Sequence, residues 1–155
     1  MFSEYIANKL SLGQKAGKYV AQLIERHLDV FRLMQLKEAG ELTNKDLNLF
    51  WFKNKHLIPH LFILSFADAY ATSEDDEFLK RVKLFIIFLQ EYFFDIYSKE
   101  IVEEPFISGK EIMNILNLSP SPIIGEIKKN LLKKQIAGEV KNKDEAIRFV
   151  KSFKL

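Results

Sequence analysis

Apolar residues recur at every third or fourth position along almost the whole chain, and nothing in it reads as a strand. Val, Ile and Phe are plentiful, but they sit at helical spacing and no hairpin turn signal separates them. A chain patterned this way can bury its apolar surface only by packing amphipathic helices against one another. The expected fold is therefore all-α: a helical bundle with a small C-terminal helical hairpin unit.

Tyr19, Val20, Leu23, Ile24, His27 and Leu28 predict a helix over Gln14 to Leu28, and Leu33, Leu36 and Lys37 carry the pattern on toward a stop at Gly40. Thr43 opens the next helix, with Asp46 three residues on completing a capping-box variant. Pro59 suits the first turn of a further helix, whose Leu61, Phe62, Leu64, Ser65, Phe66 and Ala67 predict burial nearly all round. Thr72 or Ser73 is placed to cap the longest helix. Glu74, Asp75, Asp76 and Glu77 in its first turn complement the helix dipole. This helix is expected to reach Ile101 with two apolar stripes. Phe78, Val82, Phe85, Leu89, Tyr92 and Ile96 form one; Leu84, Ile87, Phe88 and Phe94 form the other. Two stripes call for cover on two sides and a central position. Glu103, Glu104 and Pro105 interrupt the pattern and divide the chain into a helical body, residues 1–104, and a tail, residues 105–155. The tail predicts three short helices, over Lys110 to Leu116, from the Pro120-Ser121-Pro122 turn to Gln135, and from Lys143 to Phe153 behind an Asn142 cap.

Charge divides at the same boundary. Residues 1–104 hold 13 Lys/Arg against 16 Asp/Glu, and residues 105–155 hold 10 against 5, within an overall formal charge of +2. A basic tail behind a weakly acidic body points to an anionic partner, although a solvated basic surface gives the same pattern. Hydrophobic residues make up 48% of the chain, enough for a sizeable core and too many for disorder. With no cysteine there is no disulfide framework, thiolate metal site or cysteine nucleophile. The longest clean apolar run, Leu84 to Leu89, is far too short to span a membrane, and Met1 to Lys9 carries no signal pattern. A cytoplasmic location is the expectation.

Several chemistries lack their residues. There is no P-loop, no Gly-x-Ser-x-Gly elbow, no adjacent His-Asp pair, and no Asp-x-Asp pair after a Gly-Ser turn from which a two-metal nucleotidyl-transfer site is built. His56 and His60 stand four apart, a zinc-ligand spacing, but Pro59 intervenes and no third ligand follows at a recognisable spacing. His27 lies at the edge of an apolar stripe and reads as a hydrogen-bonded residue at the core margin. Asp68, in a helix expected to be buried, requires a partner. No cofactor or metal is implied.

The tail repays closer reading. Pro122 begins its second helix without loss, since its missing N–H would have no partner there. The free N–H groups of that first turn suit an anion, and Gly125 lets another backbone approach. Ile123, Ile124, Ile127 and Leu131 face inward. Lys129 and Lys133 lie one turn apart on the far side, flanked by Lys128 and Lys134, and such a row can meet successive phosphates of a nucleic-acid strand.

Three segments of this tail resemble the C-terminal part of class II tRNA nucleotidyltransferases (CCA-adding enzymes) and bacterial poly(A) polymerases. They are Gly109-Lys110-Glu111-Ile112-Met113, Pro120-Ser121-Pro122-Ile123-Ile124-Gly125-Glu126-Ile127, and Gly138-Glu139-Val140 followed by Lys143-Asp144-Glu145-Ala146. Glu111 stands where that family usually has Asp, and Ser121 where it commonly has Gly between the prolines. Upstream, Glu38-Ala39-Gly40-Glu41-Leu42-Thr43 and Leu64-Ser65-Phe66-Ala67-Asp68-Ala69-Tyr70-Ala71 are similar to the family's helical middle, so the likeness runs from about Leu10 to Phe153. At the position of Asp68, related phosphohydrolases carry a metal ligand, but the companion His-Asp pair is missing here. A residual phosphohydrolase using His27, His60 and Asp68 therefore lacks the residues to complete its site.

In that family the catalytic head lies N-terminal to everything seen in this chain. The resemblance thus implies a non-catalytic body and tail, excised from a longer enzyme or separately encoded. Such a unit would hold tRNA or other structured RNA by backbone and shape while a separate head chain or domain performs the chemistry. Lys110, Lys128, Lys129, Lys133, Lys141, Lys143 and Arg148 are the candidate phosphate contacts. The rival reading is a protein-interaction or dimerisation scaffold with no RNA role, for which 14 Phe residues and the broad apolar surface of the long helix speak. A homo-oligomer stays open under either reading.

Overall fold

The structure is a computed structural model that describes Lys9 and residues 13–153. The stretch read as free of a signal pattern, Met1 to Lys9, lies outside the described residues except for Lys9. Among the described residues the chain is helical with no strand. The helices are α1 (Gly13–Arg26), α2 (Leu28–Glu38), α3 (Asn44–Asn54), α4 (His60–Thr72), α5 (Asp76–Tyr92), α6 (Gly109–Leu116), α7 (Pro122–Ile136) and α8 (Lys143–Lys151). A single 3-10 turn, Lys55–Leu57, links α3 to α4. A π turn, Phe93–Tyr97, and a last turn, Ser98–Glu100, extend α5.

The first long helix breaks where sequence periodicity runs through. A turn at His27 separates α1 from α2, and the buried Ser65 hydroxyl of α4 donates to the His27 carbonyl at 2.7 Å. Helix α2 stops at Gly40, which takes φ +72°. The Gly40 N–H bonds the Lys37 carbonyl and the Glu41 N–H bonds the Leu36 carbonyl, a paired closure that a left-handed residue permits. Helix α3 starts at the predicted capping box: Thr43 accepts from the Asp46 N–H, and Asp46 Oδ2 accepts from the Thr43 N–H at 3.1 Å. The cap of α5 is neither Thr72 nor Ser73. Thr72 turns its hydroxyl back to the Asp68 carbonyl at 2.7 Å, and Ser73 Oγ accepts from the Asp75 N–H. Asp75 is the cap, its Oδ1 accepting from the N–H groups of Glu77 and Phe78.

Two hydrophobic clusters form. The larger joins α2 to α5 around Leu33, Trp51, Leu61, Val82 and Leu89, and extends to Tyr97. The smaller joins α6, α7 and α8 around Ile112, Ile127, Leu131, Ala146 and Val150. Tyr97 rather than Ile96 is the buried residue at the end of α5, because the π turn inserts one extra residue and rotates the inward position by one.

Two burial expectations need correction. Helix α4 is not buried all round: Leu61, Phe62, Ser65 and Ala69 face the core, whereas Ile63 and Tyr70 are 63% and 70% exposed. The second stripe of α5 is likewise uncovered. Leu84, Ile87 and Phe94 face outward, and only Phe88 gains cover, from the Lys37 ammonium 3.4 Å over its ring. Helix α5 is therefore packed on one side, against α2 and α4.

The two clusters meet where α3 packs on α7. Buried Asn48 of α3 accepts from the Tyr92 hydroxyl at 2.8 Å and donates to the Ile136 carbonyl at 3.2 Å. On the other side of α7, the Gln135 amide donates to the Glu104 carbonyl and accepts from the Phe106 N–H. These bonds satisfy polar groups that would each cost about 1–3 kcal/mol if buried unpaired.

Candidate nucleic-acid interface

Helix α7 decides where the cations point. Ile124, Ile127, Leu131 and Gln135 are buried at spacings of three and four, so the intervening lysines are turned to solvent. Lys128, Lys129, Lys133 and Lys134 are all exposed, and Lys129 and Lys133 lie one turn apart. Pro122 occupies the first helical position, as its missing N–H requires. The helix ends at Gly138, φ +73°, whose N–H bonds the Gln135 carbonyl while the Glu139 N–H bonds the Lys134 carbonyl. This closure carries Glu139 back against Lys134.

The remaining candidates sit at helix starts and on α8. Lys110 is exposed in the first turn of α6, beside the start of α7. A cavity of about 550 Å³ lies between these two helix starts, lined in part by Gly109, Lys110, Ser121 and Gly125. Outside its own helix, no described residue comes within 4 Å of where a side chain on Gly125 would begin, so the backbone approach expected there is not made by the described residues. Lys141 and Lys143 flank Asn142, the cap of α8, which accepts from the Glu145 N–H at 2.9 Å. Lys143 pairs with Glu111 at 2.6 Å, and Arg148 lies 4.0 Å from Glu145. All seven sequence candidates are thus exposed, and among the described residues Lys110, Lys128, Lys129, Lys133 and Lys141 have no ion-pair partner.

Glu111 does two jobs. It completes a capping box with Ser108, accepting from the Ser108 N–H at 2.7 Å, and it bonds Lys143. The Lys143 ammonium, with help from Ser108, holds its carboxyl down to about 2 from an ordinary 4.5. A depressed carboxylate stabilises the fold above its unfolded value and loses that contribution as pH falls through its folded value. Glu111→Gln keeps an oxygen for the Ser108 N–H and removes only the charge. The variant is expected to melt below wild type at pH 7, with the gap narrowing below about pH 4.5 and closing near pH 2. Thermal melts across that range check it.

Sequence spacing missed two cations that stand with these. Lys45 and Lys53 belong to α3, yet both border a groove shared with Lys133 and Lys134 of α7. Nothing local signals this, because the segments lie some eighty residues apart and meet only through the α3–α7 packing.

The histidines and Asp68 find plain partners. His60 Nδ1 shares a hydrogen bond with the Tyr19 hydroxyl at 2.9 Å, and His56 Nε2 with Gln22 at 3.2 Å, so the start of α4 and the 3-10 turn before it are both tied to α1. His27 bonds the Ile24 carbonyl through Nδ1, and its Nε2 lies 3.9 Å from Asp68. The Asp68 side chain is 40% exposed, not buried. Among the described residues no three His, Asp or Glu side chains gather as a metal site would need. No described helix is long and apolar enough to cross a membrane.

Comparison with known proteins agrees with the resemblance carried by the tail. The profile of the family described as "tRNA nucleotidyltransferase domain 2 putative" matches residues 96–150. The CC-adding tRNA nucleotidyltransferase of Thermus thermophilus is 31% identical over 135 residues, which are 84% of this chain and 26% of that protein. The A-adding tRNA nucleotidyltransferase of Deinococcus radiodurans is 28% identical over 145 residues, 94% of this chain and 31% of that protein. The chain spans about a quarter to a third of the length of these curated relatives. Its helices are similar to the body-and-tail region of enzymes of the CCA-adding tRNA nucleotidyltransferase family.

Proposed function

We propose that this chain is an RNA-gripping unit: residues 1–104 act as a rigid body, residues 105–155 as a basic tail, and together they hold tRNA-like RNA while a catalytic head, in the same or another chain, transfers nucleotides. The supporting observation is the outward row on α7. Lys129 and Lys133 occupy the face opposite the buried stripe of Ile124, Ile127 and Leu131, and neither is neutralised by any described acidic neighbour. Ammonium groups set along a rigid helix bind phosphates by charge and position without reading base edges. The two relatives are named for acting on tRNA, which makes tRNA the natural ligand to try, and the cytoplasm the place to expect it. On this reading the chain adds no nucleotides by itself. The scaffold reading draws on the uncovered Ile63, Leu84 and Phe94, but similarity to enzymes named for tRNA does not favour a role without RNA.

Replacing Lys129 and Lys133 together with Glu reverses the charge of the row without touching the core. The expected result is an unchanged melting temperature and tRNA affinity lowered at least about ten-fold at low salt, since two phosphate contacts are lost and two repulsions gained. Filter binding and thermal melting check it. A folded double variant with wild-type affinity removes this face from the reading.

A further inference from the structure

The groove between α3 and α7 takes in Lys133 and Lys134 from the row just described and adds to them residues of α3 and of the chain end. It is an open groove of about 590 Å³, within the size range of clefts that hold small ligands. Among the described residues four ammonium groups line it, Lys45 and Lys53 from α3 and Lys133 and Lys134 from α7, with one carboxylate, Glu139. Glu139 bridges Lys45, at 2.6 Å, and Lys134. The Lys134 and Lys45 ammoniums hold its carboxyl down to about 2. Lys53 and Lys133 have no ion-pair partner among the described residues, so the described lining carries a net positive charge. Its apolar lining is Leu49, Phe149 and Phe153, and the two rings stand edge to face with centroids 6.2 Å apart.

Cations together with half-buried aromatic rings at a groove wall suit a flexible nucleic-acid strand, not a duplex. Phosphates meet the ammonium groups, and an unstacked base covers an aromatic ring, a contact that tolerates any sequence. In a duplex the base faces are already stacked and only backbone is available. We infer that the α3–α7 groove binds an unpaired nucleotide segment of RNA, with its phosphates on Lys53 and Lys133 and a base against Phe153. This rests on the RNA-gripping reading and extends it to a second, composite surface that exists only when α3 and α7 are packed together. Glu139 is then a built-in competitor, occupying two of the four cations until RNA phosphate arrives.

The test uses the 155-residue chain and a fluorescein-labelled RNA oligonucleotide, single-stranded or annealed to its complement, followed by anisotropy over a salt series. Phe153→Ala is expected to weaken single-strand binding about ten-fold, as loss of one stacked base does, and to leave duplex binding unchanged. Lys53→Ala is expected to lower the slope of log affinity against log salt by about one. Glu139→Gln is expected to tighten single-strand binding about three-fold, the size of an exposed ion pair released. Glu91→Gln, the same change of charge on α5, leaves affinity as it was. The gain in Glu139→Gln cannot come from mere damage to the fold. Wild-type binding with a steep salt dependence, but none of the three groove effects, overturns the groove and leaves the α7 row standing. Absence of RNA binding by the wild-type chain overturns both.

Discussion

Replacing Trp51 with alanine is expected to lower unfolding free energy by about 3–5 kcal/mol, the range for deleting a large buried aromatic side chain. Trp51 is 3% exposed and forms the hub of the larger core. Phe50, Phe62, Phe93 and Tyr97 surround it, with ring centroids at 5.7, 5.9, 4.5 and 6.5 Å. These rings come from α3, α4 and the π turn, so the cavity would open where three elements converge and no single one can collapse into it. The indole N–H has no acceptor among the described residues, and part of the side chain's gain is spent on leaving that donor unpaired. Trp51→Phe removes the unpaired donor and keeps a ring, and is expected to cost less than half as much. Urea denaturation followed by far-UV circular dichroism measures both. An alanine variant within about 1 kcal/mol of wild type contradicts the packing described.

The second large effect lies in the smaller core. Leu131 is fully buried between α7 and its neighbours, and among the described residues only eight make up that buried cluster. Leu131→Ala is expected to cost about 2–5 kcal/mol, because a core this small has little material to refill the space. Trp51 is the only tryptophan and sits in the other core, so its fluorescence reports body unfolding while circular dichroism reports all helices. Asn48 joins the two cores through Tyr92 and the Ile136 carbonyl, and Gln135 ties α7 to the segment before α6. The two probes are therefore expected to shift together in Leu131→Ala. A fluorescence transition that stays at the wild-type position, while circular dichroism moves, would show that these bonds do not couple the cores.

Local chemistry made much of this fold legible. Thr43 with Asp46, and Asn142, mark helix starts because their side chains accept from orphan backbone N–H groups within three residues, and Pro122 marks one because it has no N–H to leave orphaned; none of this needs tertiary context. Gly40 and Gly138 mark ends because their positive φ suits glycine. From sequence, the cap of α5 is placed at Thr72 or Ser73 and Asp75 within the first turn, because all three residue types can cap and the choice depends on which backbone group each side chain reaches. Periodicity alone could not locate the π turn, since one inserted residue leaves a plausible pattern on either side. It also could not say which apolar faces stay uncovered. Ile63 and Leu84 look like core residues in sequence, and only the one-sided packing of α5 leaves them outside.

The candidate interface divides along the same line. Lys129 and Lys133 were visible because a helix with a buried stripe fixes its opposite face. Lys45 and Lys53 were not, because their meeting with Lys133 and Lys134 is made by contacts between distant segments. Asp68 drew attention as a charge in an apolar helix, but that helix has an exposed side, and a nearby histidine accounts for it.

Titration of unmodified tRNA into the chain over rising salt tests the gripping role most directly. If the exposed lysines meet phosphates, log affinity falls linearly against log salt with a slope of about −3 or steeper, as three or more neutralised phosphates require. Binding that is absent at low salt, or whose affinity does not change with salt, would contradict it.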